Sequence, residues 1–415
     1  MRILFVVHKF PPESVGGVET YTWSLARVLA RAGHDVHVFY PLMGIATSQS
    51  RVERDGMQLW RVPLAAGRAH EGPIQQFWHT FRDTRIESSF RALLADIRPD
   101  VVHFQHVQGV SAALIEAAAG WPRVVTLHDY WFFCATSQLV RPDGSPCAGP
   151  QRGWDCVDCL TVRPDLQWLR RLRPLVAVPL AYRNVYLRRV LRPVPILLAP
   201  SDFLTQQYIR QGFPASRIQR TDLGLDLERL DAAAAPHLPT PSGRPHFGYL
   251  GALAPHKGVH VLVQAFNELP LQAGLTIYGS EAVFPDYAAK LGTLARHPHI
   301  RFAGALDYRH VGAALRQLDC LVVPSLWYEN SPLVIQEAYG IGVPAVASRL
   351  GALIEKVRDG ETGWLFNPGD VSDLAQVLRE LIEHPEQLAA ARTRIRPGPT
   401  MEQHAEQLLD LYRTL

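Results

Sequence analysis

Cys320-Leu-Val-Val-Pro324-Ser325-Leu-Trp-Tyr-Glu329-Asn330-Ser331-Pro332-Leu333-Val-Ile-Gln-Glu337 is the stretch from which the rest of the chain can be read. It opens with an apolar run of the length expected for a buried strand. Pro332 suits the first position of a helix, and Ser331 before it suits the N-cap. Leu333, Val334 and Ile335 then lead to Glu337. The expected order is strand, loop carrying Glu329, helix carrying Glu337. A helix N-terminus presents unpaired N–H groups and the positive end of the dipole, which suits a phosphate. Glu337 stands about 7 Å along the axis from Pro332. Carboxylates on both sides of a phosphate suit a ligand with hydroxyls on both sides. A nucleotide-diphosphate sugar has that layout: ribose, diphosphate, sugar. The spacing does not fit a glycosidase pair, whose two carboxyls flank one scissile bond.

The alternation extends in both directions. Residues 3–7, 35–40, 101–104, 124–127 and 196–199 read as strands, and 19–32 has helical periodicity up to Gly33. A second series begins at 247–250. A helix over 259–269 follows, with strands at 275–278, 300–302, 321–323 and 343–347. Such βα alternation predicts mainly parallel sheets with helices on both faces, in two doubly wound α/β domains facing across a cleft. Domain one is expected over 1–220 and domain two over 221–397. The join lies near 220–226, followed by an exposed Pro/Ala-rich connection at 232–245.

A chain of 415 residues is too long for one ordinary core. Its formal charge of +3 makes no case for a nucleic-acid partner. No run approaches the roughly 20 apolar residues that span a bilayer. Residues 3–7, followed by His8 and Lys9, are too short for the apolar core of a signal peptide. A cytoplasmic protein is expected. Its five cysteines then read as thiols or metal ligands, not as a disulfide framework.

Several short motifs recur in a telling order. They are Gly16-Gly17 after the first strand, Pro99-Asp-Val-Val-His103, His128-Asp-Tyr-Trp131 and Ala199-Pro-Ser201, then Gly251-Ala-Leu-Ala-Pro-His-Lys257-Gly258, the 324–337 stretch and Asp359-Gly-Glu-Thr-Gly363. In this order the chain resembles the retaining glycosyltransferases of glycosyltransferase family 4, which have the GT-B fold of two Rossmann-like domains. The resemblance implies an acceptor-side first domain and a donor-binding second domain. It also implies that the final helix, within 398–415, packs back onto domain one.

What it implies for single residues follows the motifs. Glu329 contacts hydroxyls of the donor sugar, and Glu337 the ribose. Asn330, Ser331, Pro332 and Leu333 line the sugar and diphosphate. Lys257 neutralises the diphosphate, and Gly258 permits close backbone approach. Gly16 and Gly17 close on the donor from domain one, with positive φ open to them. His128 lies near the transferred sugar. His103 and His106 line the acceptor side, packed histidines being the alternative. Family members usually carry an Arg five residues before the Lys, where this chain has Ala252, with His256 as a candidate substitute cation. No metal or cofactor is expected in catalysis. The turn Asp222-Leu-Gly-Leu-Asp226 has Leu223 where Asn is usual and is assigned no chemistry.

Two features stand apart. Cys134, Cys147, Cys156 and Cys159 include a Cys-x-x-Cys pair and suit a closed structural Zn²⁺ site, thiols in an ordinary loop being the alternative. The stretch 163–192 holds eight arginines among aromatic and aliphatic residues. It suits either a helix lying on an anionic membrane, at the inner face of the cell membrane, or a solvated helix packed on its own domain. The first option makes a lipid-linked acceptor as natural as a free glycan.

Overall fold

The computed structural model describes residues 1–14, 16–42, 50–64, 68, 71–230 and 244–415. Most of the expected 232–245 connection lies outside them. The chain forms two compact units. The first comprises Met1–Leu139, Ala148–Gly224 and Pro399–Leu415, and the second Leu225–Gly398 with Val140–Cys147. The chain changes unit at Gly224/Leu225.

The first unit is built on eight strands: β1 (Arg2–Val6), β2 (Asp35–Leu42), β3 (Ser50–Arg54), β4 (Met57–Pro63), β5 (Val101–Phe104), β6 (Arg123–Thr126), β7 (Ile196–Ala199) and β8 (Ile218–Arg220). Their order is β3-β4-β2-β1-β5-β6-β7-β8. All pairs are parallel except β3 with β4. That hairpin turns at Asp55-Gly56, both with positive φ (54° and 77°). Asp-Gly is the dipeptide that adopts such a turn most readily.

The second unit has six parallel strands: β9 (His246–Leu250), β10 (Gly274–Tyr278), β11 (Ile300–Gly304), β12 (Cys320–Val323), β13 (Ala345–Ser348) and β14 (Gly363–Phe366). Their order is β11-β10-β9-β12-β13-β14. Alternate residues of one strand enter different cores. Cys320 and Val322 pack with Phe247, Val259 and Phe266, whereas Leu321 and Val323 pack with Ile335, Ala338 and Leu353. The sheet is therefore covered on both faces, as parallel sheets require.

Strand order reverses at β1/β5 in the first sheet and at β9/β12 in the second. Crevices for ligands open outside the carboxyl ends of the strands at such points. The loop after β12 carries Glu329, and the loop after β9 carries Lys257.

The helix Met401–Tyr412 is the last element and belongs to the first unit. Thr400 caps it, exchanging hydrogen bonds with Gln403. Its buried face docks on the helix Gly17–Arg31 through a 2.7 Å hydrogen bond between Tyr21 Oη and His404 Nε2. Gly224 belongs to this contact. A Cβ there would meet His404 Cβ and Met401 Cα at 2.8 Å. The Asp222–Asp226 turn is thus shaped by packing.

Tyr412 reaches the core. Its hydroxyl lies 2.6 Å from His103 Nδ1, while His103 Nε2 lies 2.7 Å from Thr126 Oγ1. His103 has no exposed surface. It is a packed residue at the sheet centre, not a lining of an acceptor crevice: burial and two internal bonds commit its ring. Tyr412→Phe should leave His103 Nδ1 buried without a partner. The expected cost is about 1–3 kcal/mol, read as a lower urea midpoint for the first unit with an unchanged m-value.

Candidate active site

In the second unit, Glu329 is the organising residue. Its carboxylate is 7% exposed and accepts three hydrogen bonds on Oε1. Lys257 Nζ donates at 2.8 Å, Ser325 Oγ at 2.6 Å and Trp327 Nε1 at 2.8 Å. Burial alone would raise its pKa. The Lys257 charge and the hydrogen bonds from Lys257, Ser325 and Trp327 outweigh that and lower it. The carboxylate is therefore ionised, and Oε2 remains as the acceptor for other donors. Lys257 also lies 4.9 Å from the centre of the Trp327 ring, a cation–π contact.

The backbone sets this pair. Gly258 has φ +69°, and a Cβ on it would meet the Pro324 carbonyl oxygen at 1.9 Å. Only glycine lets the loop after β9 lie against the loop after β12. Leu326 N–H donates to the His256 carbonyl at 2.8 Å and ties the same two loops.

The helix after Glu329 runs Leu333–Ile341, with Pro332 as its N-cap residue at φ −67°, ψ 102°. Ser331 stands one position too early to cap it, because Pro332 keeps an extended ψ, and its Oγ accepts from Gln336 Nε2 at 3.4 Å. Asn330 is 7% exposed, and its Oδ1 is buried without a hydrogen-bond partner. Glu337, also 7% exposed, is ion-paired to Arg229. Arg229 was not legible in the sequence. It sits on the four-residue helix Leu227–Leu230, just past the Asp222–Asp226 turn. A basic residue following that turn was the only signal.

His256 does not replace the missing cation. Burial first, then the Lys257 charge, push its pKa down to about 4. It is neutral near pH 7 and packs edge-on against Trp327 at 5.3 Å. Ala252 is exposed, and its carbonyl accepts from Tyr249 Oη at 2.7 Å.

In the first unit, a cluster of imidazoles and carboxylates gathers at the ends of β1, β5 and β6. The His8 ring lies tilted against that of His106, 4.6 Å between centres, and His8 lies 3.7 Å from Glu19. His106 Nε2 meets Asp129 Oδ2 at 3.0 Å. His128 Nε2 meets Gln105 Oε1 at 2.7 Å, and the His128 ring lies edge-on to Tyr21 at 5.4 Å. The sequence pointed to His106 and His128 but missed His8, Gln105 and Asp129, which only the parallel register brings together. Gly16 and Gly17 open the helix Gly17–Arg31 beside Glu19, without using the positive φ open to them. Gly16 is extended at φ −140°. A Cβ there would meet the Glu19 carboxylate, with Oε2 at 2.5 Å and Cδ at 3.3 Å. The four cysteines expected to hold zinc form no disulfide. Among the described residues, no three His, Cys, Asp or Glu side chains are arranged as metal ligands.

Burial holds several of these imidazoles neutral. It lowers His8 to about 2, His128 to about 3 and His404 to about 4, and His103 well below the usual 6.5. Below 6.5 the unfolded imidazoles take up protons that the folded ones refuse. Stability is therefore whole above 6.5 and is lost as pH falls toward the folded values. Each histidine contributes about 1.4 kcal/mol per pH unit. Thermal melts should move down steadily from about pH 6.5 to about pH 5. A flat profile over that range would show that the histidines are not held neutral.

Two family models match the chain: "Glycosyltransferase Family 4" over residues 15–229 and "Glycosyl transferases group 1" over 244–384. The glycogen synthase of Mycobacterium tuberculosis is 29% identical over 418 residues, covering 95% of this chain and 89% of that protein. A GDP-mannose-dependent alpha-mannosyltransferase of the same species is 25% identical over 427 residues, covering 100% and 97%. Among solved structures, sucrose-phosphate synthase from Thermosynechococcus elongatus aligns with a TM-score of 0.74 at 20% identity, covering 100% and 98%. Anabaena Alr3699/HepE, in complex with UDP and glucose, aligns with a TM-score of 0.68 at 16% identity, covering 100% of both chains. These likenesses in structure establish the GT-B fold. With residues 15–229, just over half of the chain, matched by the family model, the chain belongs to glycosyltransferase family 4.

Proposed function

We propose that this enzyme is a retaining glycosyltransferase that moves a hexosyl group from a nucleotide-diphosphate sugar to a hydroxyl of a glycan or lipid-linked acceptor, in surface polysaccharide or glycolipid synthesis. One observation carries the reading. Two buried, ion-paired carboxylates, Glu329 with Lys257 and Glu337 with Arg229, stand before and after the N-terminus of one helix. The likeness to a structure in complex with UDP and glucose, and to proteins named for GDP-mannose and glycogen, supports it.

The diphosphate meets the first N–H groups of the helix Leu333–Ile341 and the Lys257 ammonium. The sugar hydroxyls donate to Glu329 Oε2 and meet Asn330 Oδ1, and the ribose hydroxyls meet Glu337. As the bond from the sugar C1 to the leaving phosphate oxygen breaks, Lys257 and the helix terminus stabilise the charge that develops there. The acceptor oxygen bonds to C1 on the same face, and its proton passes to the departing nucleoside diphosphate. In the first unit, the cluster of His106, Asp129 and neutral His128 offers hydrogen-bonding groups to the acceptor.

Ala252 favours a second reading, a GT-B protein that binds a nucleotide sugar with weak or no transfer. Release of nucleoside diphosphate from UDP-, GDP- or ADP-linked sugars separates the two, and the anomeric configuration of the product tests retention. Binding without release across a broad acceptor panel would favour the second reading.

Two sets of variants resolve the site. Glu337→Gln, which keeps a hydrogen-bond acceptor beside Arg229, should weaken nucleoside-diphosphate binding roughly tenfold. Glu329→Gln should mainly lower kcat. Equal loss of nucleotide affinity in both would overturn this division of roles. Ala252→Arg should tighten nucleoside-diphosphate binding by about 1.5–3 kcal/mol, the worth of a hydrogen bond to a charged group. Titration calorimetry reads that change directly.

A further inference from the structure

The helix Arg173–Leu191 has apolar residues on two faces, and only one is packed. Ala177, Leu180, Leu187, Val190 and Leu191 are buried in the first unit. Leu175, Val178, Tyr182 and Val185 recur at helical spacing and are 69%, 66%, 58% and 54% exposed. An exposed apolar stripe of this length is uncommon on a water-soluble surface and marks an interaction site. Trp168 and Trp78, each 58% exposed, extend the apolar area. Beside it, Ile74, Phe77, Leu166, Leu169, Leu175 and Pro179 line a groove of about 250 Å³.

The charge around the stripe identifies its occupant. Arg170 and Arg171 precede the helix, and Arg188, Arg189 and Arg192 end it, all exposed. Arg171, Arg189 and Arg192 make no ion pair among the described residues. The sole acidic residue in 163–192 is Asp165, which pairs with Arg163 at 3.2 Å. An apolar stripe with arginines at both ends and tryptophan at its margin matches a helix lying in the plane of a bilayer, its side chains among the acyl chains and its guanidiniums on lipid phosphates. A protein partner of ordinary charge gives no reason for clearing acids from the whole segment. Among the described residues no helix is long and apolar enough to cross a membrane, so the contact is one of surface adsorption.

We infer that this face of the first unit docks on an anionic lipid bilayer, with the groove taking an acyl chain. The inference needs only the surface of the first unit and stands apart from the donor reading.

Flotation of the full chain with vesicles of phosphatidylcholine, with and without phosphatidylglycerol, tests it. The protein should float with the anionic vesicles alone, and less so at high salt. Val178→Glu/Val185→Glu and Arg171→Glu/Arg189→Glu/Arg192→Glu should each reduce the bound fraction at least tenfold. The urea midpoint of the first unit should stay unchanged in both, which shows that its fold is intact. Wild-type protein left at the bottom of the gradient overturns the proposal. So does light scattering that finds a dimer abolished by Val178→Glu/Val185→Glu, since a second copy would then cover the stripe. Flotation without transferase activity would leave this inference standing while counting against the proposed reaction.

Discussion

A carboxylate removed from water needs a cation and hydrogen bonds, and the second unit is organised around that need. Glu329 leaves the end of β12, and its counter-ion Lys257 leaves the end of β9. These strands are neighbours only because the sheet reverses its winding between them. Losing one partner would strand a buried charge, at a cost of about 3–5 kcal/mol. The ion pair therefore pins the two loops to each other. Gly258 against the Pro324 carbonyl is the steric condition for the pair, since any side chain there would push the loops apart.

The same logic recurs along the helix that follows. Glu337 is buried and held by Arg229, whose short helix follows directly on the start of the second unit. Two anions thus bracket one helix terminus, each neutralised by a cation from elsewhere in the chain. Such a terminus keeps its field for an incoming anion, because the flanking carboxylates do not repel a charge that their own partners already balance. The neutral His256 beside Lys257 has a matching cause. Burial first, and the Lys257 charge second, keep this imidazole neutral, so it does not double the positive charge beside the ammonium.

Much of this was legible along the chain. The 320–337 stretch reads as strand, loop and helix from apolar pattern and turn chemistry, and both carboxylates stand where expected. What failed was finer. The helix begins one residue later than Pro332 suggested, because proline fixes φ but not ψ. The β3–β4 hairpin was missed although Asp55-Gly56 announced it, because β3 is exposed and carries no apolar pattern. Arg229, His8 and Asp129 could not be found by spacing. Sheet register and a four-residue helix bring them into place, and a basic residue after the Asp222–Asp226 turn was the one local trace of either. His103 misled for the opposite reason: a histidine at a strand end looks available until the last helix of the chain supplies its partner.

That last helix has a consequence for how the protein is made. The first unit holds β1 to β8, yet its core is closed by residues 399–415, which follow the whole of Leu225–Gly398 along the chain and so are synthesised after it. Until they arrive, His103 lacks one bond, Tyr21 lacks its partner, and the seat of the final helix is open to water. The second unit can complete its sheet while the first still waits. Assembly order is thus inverted relative to synthesis order, and a chain interrupted before residue 399 would yield a finished second unit tethered to an unfinished first.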